Sequence, residues 1–233
     1  RGLLTLSKDL DVHLLRGRVV GGSTVMTSGM MIPIRPHMRK EWQDIAGIDA
    51  QKLDAALELV GRRTRAQKLR DDQMTTTTEA FRDGVRASGH TIEEPDFYVA
   101  ADPRTIPPAK VAQRAGDYCL ACGMCNYGCK YGHKFGADVA YVLRAEQQHG
   151  ANFQVNANLP IDWLEAERDG NGALRITALH TEKRAGTPSL RVPLDYVVLA
   201  GGAVGTPALV LRSAKHGALS SLPGIREKTV GAG

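Results

Sequence analysis

Apolar positions recur at helical spacing in three stretches. Leu53, Ala56, Leu57 and Val60 share one face of a helix expected over 49–65, with Asp49 placed to cap it. Phe81 and Val85 mark the apolar face of a second helix, capped within Thr75 to Thr78, running to Ser88 and stopped by Gly89. A third runs from Ala137 to His149 and ends at Gly150. Alternation with period two predicts strands instead at Phe153–Val155, at 161–167 and at 174–178, the last two joined by a turn over 168–172 as a hairpin or small meander. Leu3–Leu6 and Asp9–Leu15 predict a strand and a turn. Tyr196-Val-Val-Leu-Ala200 is a continuous apolar run, the pattern of a strand buried on both faces. After it, Thr206 as cap and Pro207 in the first turn predict a helix through Ser213. Residues 90–118, with prolines at 95, 103, 107 and 108, predict a long loop or a crossing between domains. Met26, Met30 and Met31 read as adaptable core filler.

Composition narrows the classes. The 233 residues are 42% hydrophobic, enough for a real core in one large or two small domains. The net charge of +5 is dispersed; its densest run, Arg62, Arg63, Arg65, Lys68 and Arg70, has Asp71 and Asp72 beside it and reads as a solvated helix end. Aromatic residues at 5% argue against base-stacking platforms, so nucleic acid is not an expected partner. No apolar run reaches the ~18 residues of a transmembrane helix. The chain opens at Arg1 in mid-pattern and closes on Lys228–Gly233 without a terminating element, so it is expected to be part of a longer protein whose compartment is left open.

All four cysteines, Cys119, Cys122, Cys125 and Cys129, fall within eleven residues at the spacing Cys-x2-Cys-x2-Cys-x3-Cys. A bacterial ferredoxin loop presents thiolates to iron in this order, although Lys130 stands where such loops have proline. Gly123 and Gly128 between the thiols suit a chain wrapped around a small object, and Lys130, His133 and Lys134 can offset thiolate charge. Structural zinc, disulfides or plain thiols, and a redox Cys-x-x-Cys pair are the competing readings, the last without a thioredoxin-like unit around it.

Two glycine motifs complete the chemistry. Gly17-Arg18-Val-Val-Gly21-Gly22-Ser23-Thr24 lets backbone N–H groups approach a phosphate or flat ring, and is neither a Walker loop nor a GxGxxG fingerprint. The apolar run at 196–200 followed by Gly201-Gly202 and a helix start suits a dinucleotide.

Together these pieces resemble the FAD-binding part of the glucose-methanol-choline oxidoreductases, over about the full chain. Residues 17–24 look like that family's flavin loop, and Gly202-Ala-Val-Gly-Thr206-Pro207 through Ser213 looks like its second signature. The cysteine loop and the helix after it resemble a bacterial subgroup, with cholesterol-oxidase-like and long-chain-alcohol-oxidase-like relatives. The resemblance implies an α/β chain: part of a three-layer FAD/NAD(P)-binding fold with strands and helices of an inserted segment. Residues 1–36 would carry the flavin loop, 37–116 an excursion towards the substrate domain, and 117–233 the cysteine loop and the rest of the FAD-binding domain. It implies FAD contacts from Gly17, Arg18, Gly21, Gly22, Ser23, Thr24, Leu159, Pro160, Gly201, Gly202, Thr206 and Pro207, with the backbone near Leu159–Ile161 at the adenine. It further implies hydride transfer from an alcohol or sugar CH–OH to flavin. An iron–sulfur cluster on the four cysteines would relay electrons to an external acceptor such as a cytochrome or quinone. A metal-binding electron-transfer module without flavin is the alternative. The sequence departs from the family at Met26 and Thr27, where asparagine or histidine is usual, and at Ala214, where glycine is. The family's GxGxxG unit and catalytic histidine are expected before residue 1 and after residue 233. None of the seven histidines (13, 37, 90, 133, 149, 180, 216) is assigned as catalytic.

Overall fold

The computed structural model describes residues 4–6, 13–101, 118–184, 186, 188–216 and 219–220. The architecture is mixed α/β, in two compact units, Arg1–Val155 and Asn156–Gly233.

In the first unit, β1 (Leu4–Leu6), the expected strand, pairs antiparallel with β2 (His13–Leu15), which replaces the end of the expected turn; the rest of that turn lies outside the described residues. A short β3 (Met30–Met31) follows, then α1 (Pro36–Ala46), which the sequence reading did not place. Its signals are Pro36 in the first turn and Gly47 at φ +63° past the end. Helix α2 (Ala50–Thr64) begins as expected, the Asp49 carboxylate accepting from the Lys52 N–H at 2.8 Å. Helix α3 (Thr76–Ala87) is capped by the Thr75 hydroxyl, which accepts from the Thr78 N–H at 3.2 Å.

Residues 90–101 are not a plain loop. Asp96–Phe97 forms β4, paired with β3, and Tyr98–Ala101 is buried. The Tyr98 N–H donates to the Gly29 carbonyl and the Phe135 N–H to the Tyr98 carbonyl, both at 2.8 Å; the Ala100 N–H reaches the His133 carbonyl at 2.7 Å. This stretch therefore threads between two neighbours with its backbone paired on both sides, which is how an apolar segment enters a core at no polar cost. Tyr98, Ala100, Phe135 and Val139, with Met31 against them, form that core. Prolines 103, 107 and 108 lie outside the described residues.

Only part of the basic run is a solvated helix end: Arg62 and Lys68 are exposed, and Arg63, Arg65 and Arg70 are half-buried. Arg63 lies over the Tyr141 ring at 5.4 Å, Arg65 over Phe135 at 4.8 Å and Arg70 over Tyr118 at 4.5 Å, while Lys68 pairs with Asp96 at 3.0 Å. Guanidinium planes stack on ring faces, so spacing that reads as a charged surface docks three aromatics.

The helix expected at 137–149 forms, but Asp138–Leu143 is π-wound before α4 (Arg144–His149) continues it. The Gly136 carbonyl accepts from both Val139 and Ala140 N–H groups, at 3.0 and 2.8 Å. Phe153–Val155 is not a strand; a 3-10 turn, Gly150–Asn152, occupies its approach.

The second unit holds β5 (Ile161–Arg168), β6 (Leu174–Thr181) and β7 (Arg191–Pro193), an antiparallel sheet in that order. The expected hairpin is present, its turn closed by the Asp169 carboxylate accepting from Asn171 and Ala173 N–H groups at 2.9 Å. Leu164, Ala166 and Leu219 are buried there, with Ile176, Leu179 and Leu209 against them. Helix α5 (Gly202–Ser213) packs on β5 through the fully buried Ser213. Its hydroxyl accepts from the Leu164 N–H at 2.9 Å and donates to the Leu209 carbonyl at 2.7 Å.

Two expectations fail here. The run 196–200 is not a strand; Tyr196 is 93% and Val198 89% exposed. A two-sided buried strand needs a neighbour on each edge and a layer on each face, and among the described residues none supplies them. Helix α5 starts at Gly202 rather than at Thr206–Pro207. Thr206 still caps, but from inside the helix: its hydroxyl reaches back to accept from the Gly201 N–H at 2.9 Å. Among the described residues no helix is long and apolar enough to cross a membrane.

Candidate functional site: a glycine turn beside a thiol pocket

The glycine motif 17–24 folds into a tight turn ending in a 3-10 helix, Gly22–Val25. The Gly17 N–H donates to the Ser23 hydroxyl at 3.0 Å; the Thr24 hydroxyl donates to the Gly21 carbonyl at 2.7 Å and accepts from the Ala137 N–H at 2.8 Å. Both hydroxyls thus hold the turn, and Thr24 ties it to the start of the π-wound helix. Gly21 sits at φ +88°, and a Cβ there would fall 2.6 Å from the Asp138 nitrogen. Gly22 differs: at φ +63° it has open space where a Cβ would stand. One glycine is reserved for packing and the next leaves a face free for a ligand. Arg18 is exposed on the same turn. Asp138 lies beside it, its carboxyl pushed up by burial.

Tyr98 joins this turn to the cysteine loop. Its phenol donates to the Thr24 carbonyl at 3.0 Å and is also hydrogen-bonded by the Thr27 hydroxyl. The Lys134 ammonium, 5% exposed, donates to the Thr27 carbonyl at 2.7 Å and to the Cys125 carbonyl at 2.9 Å. The loop's entrance is pinned by Gln73, whose side-chain amide donates to the Cys119 carbonyl at 2.8 Å.

All four cysteines are free thiols, and all four line one cavity of about 230 Å³. The Ala121 N–H points at the Cys119 sulfur (3.4 Å) and the His133 N–H at the Cys129 sulfur (3.3 Å). Burial pushes the Cys119 and Cys125 thiols up and the Lys134 ammonium down from their ordinary values. Among the described residues, no three His, Cys, Asp or Glu side chains converge on a point where one metal ion could sit. This lends no support to the zinc reading or to the iron–sulfur reading, and the free thiols form no disulfide.

In the second unit, Gly201, Gly202, Thr206 and Pro207 form the start of α5, and Gly202, at φ +76°, again has open space at its Cβ position. Leu159 and Pro160 precede β5, where the Pro160 carbonyl accepts from the Glu182 N–H at 2.9 Å. The same sheet carries an aromatic stack, with Trp163 between His180 at 3.8 Å and His216 at 4.4 Å. Glu165 accepts from Arg191 and pairs with the His180 ring at 2.7 Å. Arg191, then His180, hold the Glu165 carboxyl down to about 2 from its ordinary 4.5. A depressed carboxyl stabilises the fold above its unfolded value and loses that contribution as pH falls. The sheet is expected to lose stability between about pH 4.5 and pH 2, and Glu165→Gln to remove that part of the acid dependence. Thermal midpoints across this range check it; parallel acid loss in both proteins would refute it.

The sequence reading missed Tyr98, Gln73, Gly136 and Asp138. A signal for the first existed: Phe97-Tyr98-Val99-Ala100-Ala101 is an apolar run inside a proline-rich stretch. Of the histidines, His133 is buried, His180 and His216 stack on Trp163, and His13, His37, His90 and His149 are exposed.

Two strains of Mycobacterium tuberculosis each have a protein named as an uncharacterized GMC-type oxidoreductase that is 27% identical over 209 residues, covering 88% of this chain. A long-chain-alcohol oxidase of Arabidopsis thaliana is 24% identical over 232 residues, covering 97% of this chain. The chain spans 29% of the length of the former and 27% of the latter. The GMC oxidoreductase family itself matches residues 1–223, glycine turn, cysteine loop and α5 included, and the chain belongs to that family.

Proposed function

We propose that the protein is an FAD-dependent oxidoreductase acting on CH–OH groups, those of an alcohol or a sugar. The observation that carries this is the glycine turn at 17–24, where Gly22 presents open backbone at φ +63° while Gly17, Gly21 and Thr24 lock the turn behind it. A flat ring or a phosphate approaches such backbone without meeting a side chain. Gly202 offers a second open face at the start of α5, where first-turn N–H groups favour an anion. The residues present therefore fit the cofactor.

When bound, FAD supplies a two-electron acceptor for the hydride of the alcohol carbon. This chain's part is to hold and orient: Ser23 and Thr24 fix the turn, Tyr98 and Lys134 brace it from behind, and Asp138 sets the edge next to Gly21. No histidine here is proposed as the base. The Arabidopsis relative's name puts long-chain alcohols first among donors to try. A cytochrome or a quinone is the proposed acceptor class.

The full-length protein should release FAD on denaturation, and its flavin absorption should bleach when a donor alcohol is added without oxygen. Protein that takes up no flavin even after incubation with FAD would overturn the reading. The 233-residue chain alone is expected to retain FAD poorly and not to turn over.

A further inference from the structure

We propose that the pocket of the cysteine loop takes a four-iron, four-sulfide cluster ligated by Cys119, Cys122, Cys125 and Cys129, with Lys134 buried behind it as counter-charge. Ligand geometry separates this from a single ion. Zinc draws four sulfurs to within about 2.3 Å of one centre. A cluster gives each thiolate its own iron, so the sulfurs stand apart around a body of finite size. All four thiols line one cavity of about 230 Å³. A single ion needs no such cavity; a cluster does. The rest of the wall is largely apolar, with Phe97 and Val99 among its residues.

The backbone is shaped for the same purpose. Ala121, Gly123, Gly128 and Gly132 all have positive φ, at +53°, +70°, +84° and +75°. Ala121 is no glycine, and a strained residue of that kind persists where surrounding structure holds it, typically at ligand sites. The Ala121 and His133 N–H groups point at ligand sulfurs, an arrangement that tunes cluster potential. Lys134 supplies the charge. It is 5% exposed, its two acceptors are neutral carbonyls, and the Asp138 carboxylate acts on it from beyond ion-pair distance. A buried cation with no anion in contact is costly. A cluster on four thiolates is anionic and would supply that anion.

The ligand assignment stands on the loop alone; only a role in carrying electrons from flavin rests on the proposed function. The test is the full-length protein purified without oxygen, with iron, acid-labile sulfide, zinc and flavin measured on one sample, followed by dithionite reduction and low-temperature EPR. The expected result is about four iron and four sulfide per chain, and a signal from uptake of one electron, [4Fe–4S]²⁺ to [4Fe–4S]⁺. Cys125→Ser should lose iron and sulfide together while flavin stays. Lys134→Met should keep the cluster and lower its reduction potential, because a neighbouring positive charge no longer favours the reduced form. One zinc per chain without sulfide would overturn the proposal, as would four titratable thiols that reconstitution with iron and sulfide leaves empty. Iron and sulfide without flavin would instead overturn the proposed function and leave the cluster standing.

Discussion

Gly21→Ala is expected to destabilise the first unit by several kcal/mol and to abolish flavin retention. Two costs add. The residue sits at φ +88°, where an L side chain carries strain of about 1–3 kcal/mol. The new methyl would fall 2.6 Å from the Asp138 nitrogen and 2.8 Å from both the Asp138 Cβ and a Val25 methyl. Two of these neighbours belong to the start of the π-wound helix, so relief requires backbone movement, and overpacking of this kind costs about 1–3 kcal/mol. Against the ~5–15 kcal/mol that keeps a domain folded, the total is large. Gly22→Ala is the control. Its φ of +63° carries the strain, but open space surrounds the methyl, so stability should fall less. On the flavin reading, that methyl stands in the ligand's approach, and flavin should still be lost. Denaturant midpoints and flavin content of the two variants separate packing from approach. An unchanged midpoint for Gly21→Ala would show that the close contact with Asp138 does not constrain the turn.

Legibility of this chain follows how local each signal is. Caps are local, and the Asp49 and Thr75 caps stand where the sequence puts them. The hairpin 161–181 is local too, its register set by alternation and by the Asp169 turn. What failed depends on partners distant in sequence. The apolar run 196–200 reads as a buried strand, but a strand is a relation between segments, and no described segment pairs with it. Tyr98 was hidden by the prolines around it, because prolines argue for a loop while only the fold reveals Gly29 and His133 as backbone partners. The arginines at 63, 65 and 70 read as surface charge because a ring that a guanidinium will cover cannot be seen from its own position. For the candidate site, spacing revealed the thiols and glycines. It could not show that Thr24, Tyr98 and Lys134 join them: these links span 113, 74 and 107 residues.

Phe135→Ala is expected to cost about 3–5 kcal/mol, the usual range for deleting a buried phenylalanine. The ring is 1% exposed and packs with Tyr98, Ala100 and Val139, so the space it leaves has walls fixed by backbone on both sides. Removing it also takes away the face on which the Arg65 guanidinium rests at 4.8 Å, a contact worth about 0.5–2 kcal/mol. The position matters beyond stability. Phe135 directly follows Lys134 and precedes Gly136, whose carbonyl accepts the Val139 and Ala140 N–H groups in the first turn of the π-wound helix. The ring thus anchors the point where cysteine loop, glycine turn and helix meet. Phe135→Leu retains most of the volume and should cost under about 1.5 kcal/mol. Hydrogen exchange should then report faster opening of residues 133–143 in the alanine variant than in the leucine variant. If both variants lose stability equally, the aromatic face over Arg65 carries the effect rather than the volume. If neither does, the buried cluster around Tyr98 is not what holds the cysteine loop against the turn.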